Sequence, residues 1–384
     1  MTAMTNQENQ KSLELAQQII ELDAKWLQPF DVEDPFNNNL RLQGFLSQKP
    51  DHRYGALVIT HVDGKAAPQI ILATPKLHYP FGKDGKFHFP PIKKIHIYEK
   101  LDGTNVLAYR YQDADGHWYL TYKLRLYPVL RNSRWGPFLD MWNELIQKYP
   151  AIPNLASENN CHISFEIYGM RNAHLMLYDI DLAVAALFGI RQDASIVPVF
   201  DLKLFDVPLA PVIDEISAKD DPVKKYAEIR DSMEQRMKHA DDEKLVGMEG
   251  TVWYVEEPNG RVTMWKCKPE SVEEIHWAIG INKKAVLATC WNYLETGDVL
   301  NYENLLPLLL EEYELRDIEN FRKYIDNCIV QVNQEVDFRE RVLNEYDKLG
   351  ISIQAEKGAV MRAMSQIFNR GDMQKVYTTI IRNR

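Results

Sequence analysis

Residues 9 to 27 place Leu13, Leu15, Ile19, Ile20 and Leu22 at close to helical spacing, which predicts a leading helix. The texture then changes. GALVITHV (55–62) and QIILATPK (69–76) read as strands around the turn-rich DGKAAP. From 95 to 268 the pattern is mostly strand-like: TNVLAYRYQ and HWYLTYKLR flank DADG as a hairpin. CHISFEIYG, LAVAALFGI, EGTVWYV and RVTMWKCK follow, the last two around PNG. Residues 205 to 245 interrupt this run with a charged, helical excursion. After Pro269 the spacing becomes helical to the end, and residues 316–349, free of proline and glycine, predict one or two long helices. The pattern divides the chain into a helix and strand module (1–94), a sheet-rich domain (95–270) and an all-helical domain (271–384), an α+β organisation.

Composition narrows what these parts can do. A net charge of −10 excludes wholesale coating of nucleic acid, because sequence-independent phosphate binding needs many cations on one face. Contact with nucleic acid must therefore be local. The helical domain is itself net acidic, which suits packing or dimerisation better than phosphate binding. Four cysteines without CxxC spacing suggest neither a disulfide framework nor a zinc knuckle. With a polar N-terminus and no long apolar run, the expected setting is cytoplasmic, away from membranes.

Candidate chemistry begins at IYEKLDGTNV (97–106). In an extended segment Lys100 and Asp102 share a face, and Gly103 permits a tight turn and close approach of a ligand. A lysine nucleophile must lose its proton, so it needs cationic neighbours or desolvation. Downstream, Glu166 in SFEIYG could equally be a surface charge on an edge strand. Phe188 in VAALFGI could be core, and Glu249 in GMEGTVW a turn carboxylate. Lys266 and Lys268 in MWKCKP, two apart on a strand, project to one face while Cys267 points to the other. Such like charges are unfavourable unless an anion lies between them. Upstream, Lys76, Lys83, Lys86, Lys93 and Lys94 interleave with Tyr79, Phe81, Phe87 and Phe89. That texture suits phosphate contact with base stacking, or a solvated loop anchored by its rings.

Taken in order, EKLDG (99–103), KLR (123–125), FEIYG (165–169), Phe188, EGTV (249–252) and KCK (266–268) resemble the covalent nucleotidyltransferase superfamily of ligases and mRNA-capping enzymes. The resemblance spans about residues 95–270 and implies an antiparallel-sheet-rich, ATP-grasp-like ligase domain. It makes Lys100 the site of covalent AMP attachment from ATP. Glu99 would sit near the adenine amino group, Glu166 would hold the ribose hydroxyls and Phe188 would stack on adenine. Glu249 would support Mg²⁺ or Mn²⁺ and the reacting lysine, while Lys266 and Lys268 grip the α-phosphate. Arg125 would touch the nucleotide or the RNA end, with Lys123, on the same face, the second choice. DNA ligases and capping enzymes follow the KCK-type motif with a small β-barrel. The helical domain found here instead resembles ATP-dependent RNA ligases, above all the archaeal type, and implies RNA 5′-phosphate and 3′-hydroxyl ends as substrates and a homodimer through the tail. The alternatives are a DNA ligase, a capping guanylyltransferase, or a catalytically silent RNA-end-binding protein.

Overall fold

The structure is a computed structural model that describes residues 6–82, 85–133, 136–239, 245–269, 271–272, 283–297, 299–313 and 315–383. Lys83 lies outside the described residues. The chain opens with α1 (Asn6–Ile20), then β1 (Leu27–Asp34), β2 (Leu40–Ser47), β3 (Leu57–Val62) and β4 (Lys65–Ile71) in one antiparallel sheet ordered β1-β2-β3-β4. Apolar periodicity did not signal β1 and β2. β1 carries Pro29 together with Asp31, Glu33 and Asp34, which an edge strand tolerates and a central one does not. The turn between β3 and β4 is only Asp63 and Gly64, both at positive φ (49° and 76°), so the run expected to be a long turn is mostly strand.

β3 is buried on both faces. Val58 joins Ala16, Ile20, Leu27 and Phe45 beneath α1, while Leu57 and Ile59 join the main core. That core continues into the next segment, so the N-terminal sheet and the sheet-rich domain share one apolar interior.

β5 (Lys94–Lys100), β6 (Thr104–Gln112) and β7 (Trp118–Lys123) lead to α2 (Phe138–Lys148) and α3 (Ile152–Glu158). Next come β8 (His162–Tyr168), β9 (Ala183–Ile190), β10 (Ile196–Pro198), β11 (Val212–Ser217), α4 (Pro222–Arg236) and the short β12 (Lys238–His239) and β13 (Leu245–Val246). β14 (Gly250–Glu256) and β15 (Val262–Cys267) close the domain. Two larger sheets result, ordered β10-β9-β8-β6-β7 and β11-β5-β14-β15, and β12 and β13 pair separately. The observed architecture is α+β with antiparallel sheets. α2 departs from the strand-like expectation: Phe138, Met141, Trp142 and Leu145 repeat at helical spacing and are all buried. Trp142 packs edge-on against Tyr122 and Phe165 at centroid distances of 5.0 and 5.4 Å. The charged excursion also departs from expectation, since β11 within it pairs with β5 as the sheet's edge strand.

Six helices follow among the described residues: α5 (Lys283–Thr296), α6 (Tyr302–Glu312), α7 (Leu315–Asn320), α8 (Arg322–Leu349), α9 (Ile353–Met364) and α10 (Met373–Asn383). α8, about 42 Å long at the usual rise, spans two apolar clusters, one with α5 to α7 and one with α9 and α10. Leu126, just past β7, touches both the first of these clusters and the sheet core, joining tail to sheet. Among the described residues, no helix is long and apolar enough to cross a membrane.

Asp34, fully buried, keys β1 to the central domain. Its carboxylate accepts from the Tyr111 hydroxyl (2.9 Å), the Thr121 hydroxyl (2.8 Å), the Asn37 amide (2.8 Å) and the Phe36 N–H (3.0 Å). Asp34→Ala leaves two buried hydroxyls without their acceptor and should cost about 3 kcal/mol or more in urea unfolding. A loss below about 1 kcal/mol would deny this carboxylate its role.

Candidate active site

The two sheets and the helical tail enclose a cleft of about 1860 Å³. Lys100 ends β5, and Leu101, Asp102 and Gly103 carry the chain across to β6 in the other sheet. The register pairs Lys100 with Gly250 and Thr251 with Cys267. Glu249, one residue before β14, and Lys268, one residue after β15, therefore arrive beside Lys100 at the ends of three neighbouring strands. A side chain at Gly250 would collide with the Cys267 carbonyl, so glycine permits this closeness.

Glu249 bridges the two lysines. Lys100 Nζ donates to its Oε2 at 2.5 Å, and Lys268 Nζ lies 2.7 Å from its Oε1. The Glu249 side chain is 6% exposed, that of Lys268 8% and that of Lys100 24%. Burial alone would raise the Glu249 carboxyl, but the Lys100 and Lys268 ammoniums override it and hold the pKa at about 2. Burial likewise disfavours the Lys100 ammonium, yet Glu249 and, next, Glu166 hold its pKa above the ordinary lysine value. The resting lysine is thus an ammonium that must give up a proton before it can act as a nucleophile.

The other expected residues reach the same cleft with one exception. Glu99, Glu166, Phe188, Lys266 and Arg125 all line it. Glu166 pairs with Asn105 of β6 and Ala185 of β9. Burial pushes its carboxyl up to about 8, opposed by Lys100 and His174 and reinforced by Glu249 and Asp102. Burial raises Glu99 too. Phe188 is 4% exposed on β9. The Lys266 ammonium stands 4.5 Å above the Tyr79 ring, and the Lys266 backbone N–H donates to the His78 carbonyl at 2.8 Å, which sets the two segments side by side.

The exception is Lys123. It is 2% exposed and does not line the cleft; its ammonium donates to the carbonyls of Gly55 and Arg125, both at 3.0 Å. Burial, then Arg125, push its pKa down to about 7. Strand alternation put Lys123 and Arg125 on one face, but β7 ends at Lys123 and a turn follows, so the alternation lapses between them. The structure thus places Arg125 in the cleft and Lys123 behind it.

Of the two readings of the basic and aromatic run, the rings follow the second. Phe81 and Phe87 pack edge-on against Tyr226, and Phe89 stacks near Trp253, so these rings anchor the loop to the sheet. Lys93 and Lys94 pair with Glu256 and Glu215. Tyr79 and Lys76, of the same run, do line the cleft or contact its lysine.

Behind Lys100, the segment 172–178 is wired to the KLDG crossover. The Asp102 carboxylate accepts from the Met176 N–H at 2.6 Å, and the Asp102 N–H donates to the Tyr178 hydroxyl at 2.7 Å. Thr104 contacts Asn172 and His174, each at 3.2 Å. No role was assigned to these residues from sequence. Asp102 carried a signal in its spacing from Lys100, but RNAHLMLY has no periodicity that marks His174 or Tyr178.

In overall structure the chain is similar to ATP-dependent ligases. An archaeal ATP-dependent RNA ligase shares 13% identity over 87% of this chain and 82% of its own, with a TM-score of 0.46. A protein from Aquifex aeolicus described as an ATP-dependent DNA ligase shares 15% identity over 93% and 88%, at 0.44. An RNA ligase from Naegleria gruberi shares 16% over 49% and 53%, at 0.35. No family model and no curated protein matches the chain. At these identities and scores, the likenesses assign no role to any side chain.

Glu166 offers a test of the electrostatics. Unfolded, its carboxyl ionises near 4.5; folded, it keeps its proton to about 8. Between those values the folded chain binds the extra proton, so this group's contribution to stability falls as pH rises. Glu166→Gln, neutral throughout, should match the wild-type Tm at about pH 4.5, gain on it as pH rises and level off above about pH 8. A difference independent of pH would sink the assignment.

Proposed function

We propose that this protein is an ATP-dependent RNA ligase that joins 5′-phosphate and 3′-hydroxyl ends through a lysyl-AMP intermediate. The observation that carries the reading is the convergence of Lys100, Glu249 and Lys268 at three strand ends, in a cleft also lined by Lys266, Glu166, Glu99, Phe188 and Arg125. A nucleoside triphosphate needs what this cleft offers: an amine, cations for phosphate, carboxylates for sugar hydroxyls, and an aromatic wall.

In the first step the Lys100 amine attacks the α-phosphorus. A P–N bond forms, the bond to the bridging oxygen breaks, and pyrophosphate leaves with that electron pair. Before attack the Lys100 ammonium releases its proton to solvent, because Glu249, held at about 2, is too weak a base to keep it. Lys266 and Lys268 stabilise the charge that builds on the phosphoryl oxygens. In the second step a 5′-phosphate oxygen displaces Lys100 from AMP. In the third, a 3′-hydroxyl attacks that end, its proton is lost and AMP leaves. Arg125 binds the nucleotide or the RNA end.

Among the described residues, no three His, Cys, Asp or Glu side chains gather into a metal cage. Magnesium keeps most of its water and needs only one or two carboxylates beside the phosphates, so the donors fit an ion that arrives with the triphosphate. Glu249 is the carboxylate held ionised, and transfer of Lys100 onto phosphorus would release its Oε2. Such an ion, magnesium or manganese, would neutralise the triphosphate.

RNA is preferred over DNA because helices, rather than a β-barrel, follow Lys268; the resemblance to archaeal-type RNA ligases also makes the tail the proposed dimer contact. With α-labelled ATP and a divalent cation, the wild type should take up label and Lys100→Ala should lose it by a factor of about 10³ or more. Label retained by Lys100→Ala would overturn the nucleophile. Label from GTP but not ATP would indicate a guanylyltransferase, and sealing of DNA but not RNA ends a DNA ligase. Binding of RNA ends without label would indicate a silent end-binding protein.

A further inference from the structure

The Lys123 ammonium is almost fully buried, and both its hydrogen bonds run to backbone carbonyls in two different turns. One carbonyl belongs to Gly55, between β2 and β3; the other belongs to Arg125, in the turn after β7. Burying an ammonium is costly, and an apolar side chain would fill the same space at less cost unless the two carbonyls must be tied together.

Further contacts brace the same pair of turns. Gly55 sits at φ +88°, and a Cβ there would collide with the Arg125 carbonyl, so the two turns approach as closely as backbones allow. The Tyr54 ring, 4% exposed, lies 6.0 Å from the Arg125 guanidinium, and both residues line the cleft. The Gly55 turn is itself braced: its N–H donates to the Ser47 carbonyl at 2.9 Å. Arg53 also donates to the Ile20 and Glu21 carbonyls at the end of α1, at 3.2 and 3.0 Å.

We infer that Lys123 is a positioning residue that clamps the turn bearing Arg125 to the Tyr54–Gly55 turn of the N-terminal sheet, and so fixes where the Arg125 guanidinium enters the cleft. The functional half of this inference rests on the ligase reading above. The N-terminal sheet thereby becomes part of the substrate-binding apparatus without itself supplying the reacting groups.

The test is a double-mutant cycle on the full chain, with hydrogen exchange run alongside. Lys123→Met should lower the kcat/KM for label uptake from ATP by about 10- to 100-fold, the scale of a small misplacement of a binding group. In an Arg125→Ala background the same substitution should cost little more, because its effect passes through Arg125. An equal loss in both backgrounds would overturn the inference, since a general structural defect is additive. Hydrogen exchange in Lys123→Met should rise at residues 53–56 and 124–127 while β8 and α2 keep their protection; unchanged exchange at those turns would also overturn it. If the wild type takes no label from ATP, the ligase reading falls, and the exchange measurement still decides the clamp. If Lys123→Met does not fold, Tyr54→Leu replaces it in the cycle. Non-additivity with Arg125→Ala supports the clamp, and additivity refutes it.

Discussion

One carboxylate between two ammoniums organises the site. Glu249 sits almost fully buried, and only the paired charges of Lys100 and Lys268 keep it ionised there. Removing either lysine, or Glu249 itself, would leave a buried charge short of its partner, the situation folded proteins tolerate least. The bridge spans 149 residues of sequence between Lys100 and Glu249, so it forms only once β5, β14 and β15 are in register. The same bridge that orders the site holds Lys100 protonated and inert. A cation brought beside Glu249 would loosen that hold, because Glu249 is the largest influence raising the Lys100 pKa.

The KLDG segment is the hinge between the two halves of the cleft. It leaves the sheet that carries Glu249 and the KCK lysines and enters the sheet that carries Glu166 and Phe188. A side chain at Gly103 would collide with the Ile167 carbonyl, so glycine lets the crossover lie directly against β8. Asp102 then ties the crossover to Met176 and Tyr178. The Lys100 backbone is thus held from both sheets and from the 172–178 segment, which gives its side chain a fixed origin.

Much of this was legible in local pattern, and the failures have identifiable causes. Strands with clear alternation and glycine-marked turns, such as β6, β7, β14 and β15, were readable because a half-buried strand writes its period into the sequence. β1 was not, because an edge strand tolerates Pro29 and a row of acids. α2 was overlooked among strands although its apolar spacing was present. The sequence left the phenylalanines of residues 81–89 open between stacking and anchoring, because their partners Tyr226 and Trp253 lie more than 130 residues on.

The sequence by itself determined the residue types that line the cleft and the order in which they occur, because strand spacing and motif order are local properties of the chain. It also marked the change from sheet to helix after Pro269. Tertiary structure alone decided which of those side chains meet. It brought Glu249 between two lysines, turned the Phe81 and Phe87 rings inward, and put the helical tail along the cleft. Lys123 and Arg125 show the difference most sharply: two residues apart, they were assigned one face by strand alternation. The strand ends between them, and whether a strand continues is settled by its hydrogen-bonding neighbours and by the close approach of Gly55, none of which is written in the three residues KLR.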